Sequence, residues 1–210
     1  MPSIFERLRR NYRGRDGIAF ENAAITEMDG PVPFYHVPDG PPWATEFGSL
    51  SRAEVVQTLD ATRKYATEAA DVAFPDLSDQ IERIEVPGLT FESLCGKHGI
   101  ERLDLLLIDA EGYDWEIIKG IDFALHRPRL LIFESLHFSL EERGQSRAHL
   151  EGLGYELLDE GFDTWCHDPR VDDALSRCWQ DVTSAPQRVG AVLRRIRSRL
   201  TPRRRTAVSR

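Results

Sequence analysis

Leu103-Asp104-Leu105-Leu106-Leu107-Ile108-Asp109-Ala110-Glu111-Gly112-Tyr113-Asp114-Trp115-Glu116 is the stretch whose reading decides the fold. Leu105 to Ile108 are consecutive large aliphatics, the pattern of a strand buried on both faces inside a parallel sheet. The run stops at two carboxylates, Asp109 and Glu111, followed by Gly112. Beyond the glycine the period changes. Trp115, Ile117, Ile118 and Ile121 fit a helix packing back onto the sheet. Ligands of open α/β sheets bind beyond the carboxyl ends of the strands, which is where Asp109 and Glu111 fall. A second apolar run, Leu130-Leu131-Ile132-Phe133, also ends in an acid, Glu134. Two readings of the first pair stay open. They serve a site, or Asp109 caps the following helix while Glu111 complements its dipole.

Outward from this stretch, strands and helices alternate. Ile81 to Val86 reads as a strand stopped by Pro87-Gly88. Thr90 caps a helix with Phe91, Leu94 and Cys95 inward and Gly99 as its stop, and Ser139 to Leu153 is helical. Gly154 to Leu158 opens the last strands. Together these predict an α/β fold with one largely parallel sheet. Upstream, Ile4 to Arg13 is a short amphipathic helix and Ile18 to Ile25 a strand. Val32 to Val37 is a strand whose Pro33, with flanking Pro31 and Pro38, fits an edge. Asp39 to Gly48 is a Pro/Gly-rich surface loop near a site, and Ser51 to Ala70 a helix with Ser51 and Glu54 at capping-box spacing. Residues 169–187 read as irregular, and Cys166-His167-Asp168 as loop rather than a metal or thiolate site.

The chain has 210 residues, 41% hydrophobic, with three scattered cysteines. That is enough apolar material for one sizeable core, with no disulfide framework and a reducing cytoplasm as the expected setting. No apolar run reaches the ~18–20 residues that span a membrane. The formal charge of −8 is uneven: no acid follows Asp181, while nine arginines lie between Arg188 and Arg210. The acidic body argues against nucleic acid as a specific partner. The expected division is therefore a domain over 1–168 and an arginine-rich tail over 169–210, flexible or with a short basic helix over Val189 to Leu200.

The ordered set Leu89-Thr90-Phe91-Glu92-Ser93-Leu94, Gly99-Ile100, Ile108-Asp109-Ala110-Glu111-Gly112 and Ile118-Lys119-Gly120 resembles the FkbM family of methyltransferases. Phe5 to Asn11, Asn22-Ala23-Ala24-Ile25, Gly48-Ser49-Leu50 and Leu131-Ile132-Phe133-Glu134 extend the likeness over roughly residues 4–168. The resemblance implies a Rossmann-like class I methyltransferase sheet, S-adenosylmethionine as methyl donor, and a sugar or natural-product hydroxyl as acceptor. It places Asn22 and Ala23 near the adenine, Asp109 in the active cleft, Glu111 at the turn beyond it and Glu134 on the neighbouring strand. A carboxylate there could take the acceptor's proton or orient its hydroxyl. Asp109 and Glu134 could instead hold Mg²⁺, with His137 as a third ligand. Two strand-end acids are a thin signal for a metal, so no metal ligand is assigned.

The family's first strand and glycine-rich loop, which cradle the methionine end of the cofactor, have no counterpart in this chain. The expectation is an N-terminally incomplete sheet, from a misplaced start, a truncation or a second chain that complements it. An open edge would also favour self-association, and the chain alone is expected to bind the cofactor weakly or not at all. Two other readings compete. Asp109-Ala110-Glu111 is similar to the Asp-x-Asp signature of metal-dependent glycosyltransferases, although its second acid is Glu and Gly112 with its helix fits the methyltransferase better. The other is a degenerate, non-catalytic binding module using the arginine tail.

Overall fold

The computed structural model describes residues 2–45, 47–70 and 74–184. The basic tail and its expected helix over Val189 to Leu200 lie outside them. The elements are α1 (Pro2–Asn11), β1 (Ala24–Ile25), β2 (Gly30–His36), α2 (Pro42–Thr45), β3 (Gly48–Ser49), α3 (Arg52–Ala70), β4 (Glu82–Leu89), α4 (Phe91–His98), β5 (Leu105–Ile108), α5 (Asp114–Lys119), β6 (Leu130–Glu134), α6 (Leu140–Gly152), β7 (Glu156–Asp159), β8 (Asp163–His167) and α7 (Ala174–Thr183). They make a mixed α/β fold with two four-stranded sheets, in the orders β1-β4-β2-β3 and β5-β6-β8-β7.

The expected single, largely parallel sheet is corrected in both respects. Only β1–β4 and β5–β6 pair in parallel; β2–β3, β2–β4, β6–β8 and β7–β8 are antiparallel. The short connection between β7 and β8, turned at Gly161 (φ 88°), leaves room only for an antiparallel return. The β2 prolines do sit where a backbone donor is dispensable. Beside β4, β2 is flanked by β3 only at Tyr35 and His36, so Pro31 and Pro33 have a free side.

Strand β4 does not stop at Pro87-Gly88. Pro87 lies opposite Pro31, and Gly88 sits between Gly30 of β2 and Ala24 of β1. A Cβ at Gly88 would come within 2.9 Å of the Gly30 carbonyl oxygen and 2.7 Å of Thr26 Oγ1, so glycine lets three backbones converge. The strand expected over Ile18 to Ile25 shrinks to Ala24–Ile25, because only those residues pair with β4.

The larger core joins Ile108, Leu131, Phe133 and Cys166 of the second sheet to Phe91 and Cys95 of α4, Trp115 and Ile118 of α5, and Leu150 of α6. Helix α4 is bounded as its sequence predicts: Thr90 accepts from Ser93 N–H, and Gly99 closes the helix at φ 63°. Ser139 and Glu142 form a reciprocal capping box on α6. A smaller core joins Val37, Ala44, Val55, Leu59 and Leu77. The Asp39–Gly48 segment is therefore not plain surface loop, since α2 within it puts Ala44 into that core.

Two-sided burial of β5 is also corrected. Ile108 is buried, whereas Leu105 is 54% and Leu107 61% exposed. Leu106 and Ile108 face the larger core; among the described residues no strand pairs with β5 opposite β6 and no element covers its other face.

The region read as irregular after residue 168 contains α7. Asp173 caps it, accepting from Leu175 and Ser176 N–H, and is paired with Arg129 at 2.8 Å. Trp179 stacks on His167, with ring centroids 5.2 Å apart. Cys166 and His167 are likewise not loop but buried positions of β8.

Candidate active site

Between β1 and β5 lies a cleft of about 620 Å³, lined by Ala23 and Ile25 on one side and Leu107, Asp109, Glu111 and Tyr113 on the other. Its volume falls in the range of small-molecule sites. Ser49 of β3 also lines it, and its hydroxyl donates to the Glu54 carboxylate on α3. That carboxylate is thereby drawn away from the helix end. Glu54 N–H still reaches Ser51 Oγ at 3.4 Å, but the side-chain half of the expected capping box is given up.

The chain leaves β5 at Ile108 and makes a tight turn, with Tyr113 N–H donating to the Ala110 carbonyl at 3.1 Å. Glu111 takes φ 49° and Gly112 φ 99°. A left-handed conformation at a residue other than glycine is costly, and here it falls on Glu111 itself, one of the two site acids. The capping reading of Asp109 fails. The residue preceding α5 is Tyr113, and no side chain caps the helix.

Asp114 instead organises the turn. It is fully buried and accepts from Ala110 N–H at 3.2 Å and from Glu134 N–H at 3.1 Å. One carboxylate thus ties the end of β5 to the end of β6. The sequence reading missed it because an acid in the first turn of a helix ordinarily serves the helix dipole. Nothing in the local pattern shows that this one points inward.

Across this clamp the structure brings Glu111, Glu134 and His137 together, with one ligand-type atom from each lying within 4.8 Å of the others. His137 Nε2 is 3.8 Å from Glu134 Oε2. Burial, with Asp109 and Asp114 nearby, raises the Glu111 carboxyl above the usual range, against the opposing pull of His137. Burial also pushes Glu134 up to about 7, reinforced by Glu111, Asp109 and Asp114 and opposed by His137. Asp114 is raised by burial despite its backbone donors. Such crowding of carboxyl groups is typical of functional sites.

Of the residues expected at the cofactor, Ala23 lines the main cleft, while Asn22 lines a smaller adjoining pocket with Ala23, Ala24 and Phe34. Asp109 and Glu111 face the cleft. Glu134 belongs to the cluster beside it.

The chain matches the methyltransferase FkbM domain over residues 2–162, and it belongs to that family. Among curated proteins it is 26% identical over 113 residues to the 31-O-demethyl-FK506 methyltransferase FkbM of Streptomyces tacrolimicus, a match covering 53% of this chain and 43% of that protein. The matched part of the chain thus spans less than half the length of this relative. No solved structure matches. Membership of a methyltransferase family does not favour the glycosyltransferase reading of Asp109-Ala110-Glu111. Among the described residues no helix is long and apolar enough to cross a membrane.

Proposed function

We propose that the chain is an S-adenosylmethionine-dependent O-methyltransferase with a Rossmann-like class I plan, acting on a hydroxyl of a sugar or natural product. The observation that carries this reading is the acid-ended cleft between β1 and β5 in a chain whose family match spans 2–162. The relative's name, a methyltransferase for the 31-oxygen of a natural product, supports oxygen as the acceptor atom. The cleft suits the cofactor in volume and in charge. Its apolar walls at Ala23, Ile25 and Phe91 offer a bed for adenine, and Asp109 and Glu111 supply negative charge for a cationic donor. When bound, the cofactor supplies an electrophilic methyl group.

The chain's own residues then have two tasks. Ala23, with Asn22 in the adjoining pocket, bounds the adenine end, while Asp109, Glu111 and Glu134 present carboxylates to the acceptor hydroxyl, orienting it or taking its proton. Asp114 holds those carboxylates in register by fixing both strand ends.

Calorimetric titration of the 210-residue chain with S-adenosylhomocysteine tests the reading. Binding in the micromolar range, weakened at least about tenfold by Ala23→Trp, which fills the cleft wall, is the expected result. No binding up to about 1 mM would overturn cofactor use by this chain.

A further inference from the structure

We infer that Glu111, Glu134 and His137 form a binding site for a divalent transition-metal cation beside the cleft. The three side chains come from two pieces of backbone: Glu111 from the left-handed turn after β5, and Glu134 with His137, three residues on, from the end of β6 and the segment after it. Their donor atoms nevertheless converge within 4.8 Å. Ligands on one tetrahedral ion, each bonded at about 2.0–2.2 Å, lie about 3.3–3.6 Å apart. Closure around an ion therefore takes an inward movement of about 1 Å, within the reach of glutamate and histidine rotamers.

The cluster differs from an ordinary surface group of acids in its donors and its surroundings. One imidazole nitrogen with two carboxylates is a borderline set, better matched to Mn²⁺ or Zn²⁺ than to the all-oxygen shells of Mg²⁺ or Ca²⁺. Among the described residues the ion-pair partner of Glu134 is His137, and no lysine or arginine reaches Glu111 or Glu134. Positive charge at this spot thus has no source in the described chain beyond the imidazole.

The supporting residues are already fixed. Asp114 bonds the backbone N–H of Glu134 itself and of Ala110, next to Glu111. Gly112 lies in ordinary contact range of the neighbouring side chains: a Cβ there would be 3.9 Å from the Glu54 carboxyl carbon and 4.0 Å from the His137 Cβ. Three protein ligands leave coordination positions open. If the methyl-transfer reading holds, an acceptor hydroxyl could occupy one of them and be acidified there. That role rests on the proposed function, whereas the cation site does not.

The test uses the full chain, stripped with EDTA, dialysed and titrated with Mn²⁺. Electron paramagnetic resonance of the free ion reads the binding, and circular dichroism checks that every variant is folded. One Mn²⁺ per chain at micromolar affinity is expected, weakened about tenfold or more by His137→Ala and by Glu134→Gln. Glu141→Gln, on the exposed face of α6, is expected to leave binding unchanged. Failure of the folded wild type to bind Mn²⁺ or Zn²⁺ at about 1 mM, or equal binding by His137→Ala, overturns the site. Titrations with S-adenosylhomocysteine repeated in EDTA separate the two proposals. Binding of S-adenosylhomocysteine without Mn²⁺ binding removes the cation alone, and the converse removes the methyl-transfer reading alone.

Discussion

The second sheet carries acids at both of its ends, and the chain treats them in opposite ways. Beyond the carboxyl end of β6, Glu111 and Glu134 crowd against Asp109 and Asp114 with an imidazole as nearest cation. Beyond the opposite end, where β8 runs antiparallel to β6, Asp168 is gripped by Arg127 at 3.0 Å and Arg170 at 3.0 Å. Burial alone would raise the Asp168 carboxyl, but the hydrogen bonds from Arg127 and Arg170 outweigh it and bring the value to about 2. Glu134, without such partners, is pushed the other way, to about 7. A satisfied acid holds structure. A crowded one is kept at a cost in stability, which is the mark of a site.

The contrast can be broken most severely at Arg127. Its side chain is 11% exposed and Asp168 is 4% exposed. Arg127 also donates to the Leu153 carbonyl and lies over the Tyr155 ring at 4.4 Å. Arg127→Ala should destabilise the fold by about 3 kcal/mol in urea denaturation, since it strands a buried charge and removes packing. A loss below about 1 kcal/mol would mean that Arg170 alone suffices, as expected of an exposed pair.

A smaller effect follows from acidification. Because the folded value for Asp168 is depressed, its contribution is present above the unfolded value of about 3.9 and disappears as pH falls through about 2. The wild type should lose about 2 kcal/mol more than Asp168→Asn between pH 5 and pH 2. Parallel pH profiles for the two proteins would contradict the pairing.

The smallest effect has the opposite sign. With metal ions chelated, at pH 8, Glu134→Gln should stabilise the chain by about 1 kcal/mol, because an amide replaces a partly buried carboxylate among like charges. A lower thermal midpoint for this variant would place Glu134 with Asp168, as a structural acid.

Much of the site was legible in the sequence for a simple reason: an apolar strand that ends in acids has no structural need of them. Asp109, Glu111 and Glu134 stand out as candidates on that ground, and the cap at Thr90 and the stop at Gly99 follow from local chemistry alone. What was illegible depends on neighbours. Leu105 to Ile108 has the composition of a central strand, but burial on both faces needs a partner along each edge and a layer on each side. Pro87-Gly88 reads as a stop unless Pro31 and Gly30 are known to lie opposite. Asp114 looks like any first-turn acid until Ala110 and Glu134 are seen to turn their amides toward it. The sequence groups His137 with Asp109 and Glu134, whereas in the fold it converges with Glu111 and Glu134, beside the left-handed turn at Glu111.

The Asp114 bridge has a consequence for motion. With the ends of β5 and β6 fastened through one buried carboxylate, these strands and the carboxylates they carry behave as a single rigid jaw. Any breathing that admits or releases a ligand then falls to the opposite jaw, where β1 is held to β4 by the short pairing of Ala24 and Ile25 and one further bond from Thr26 N–H to the Leu89 carbonyl. Slow amide exchange should accordingly mark the β5–β6 side, and the fast, ligand-sensitive signals should come from the short strand across the gap.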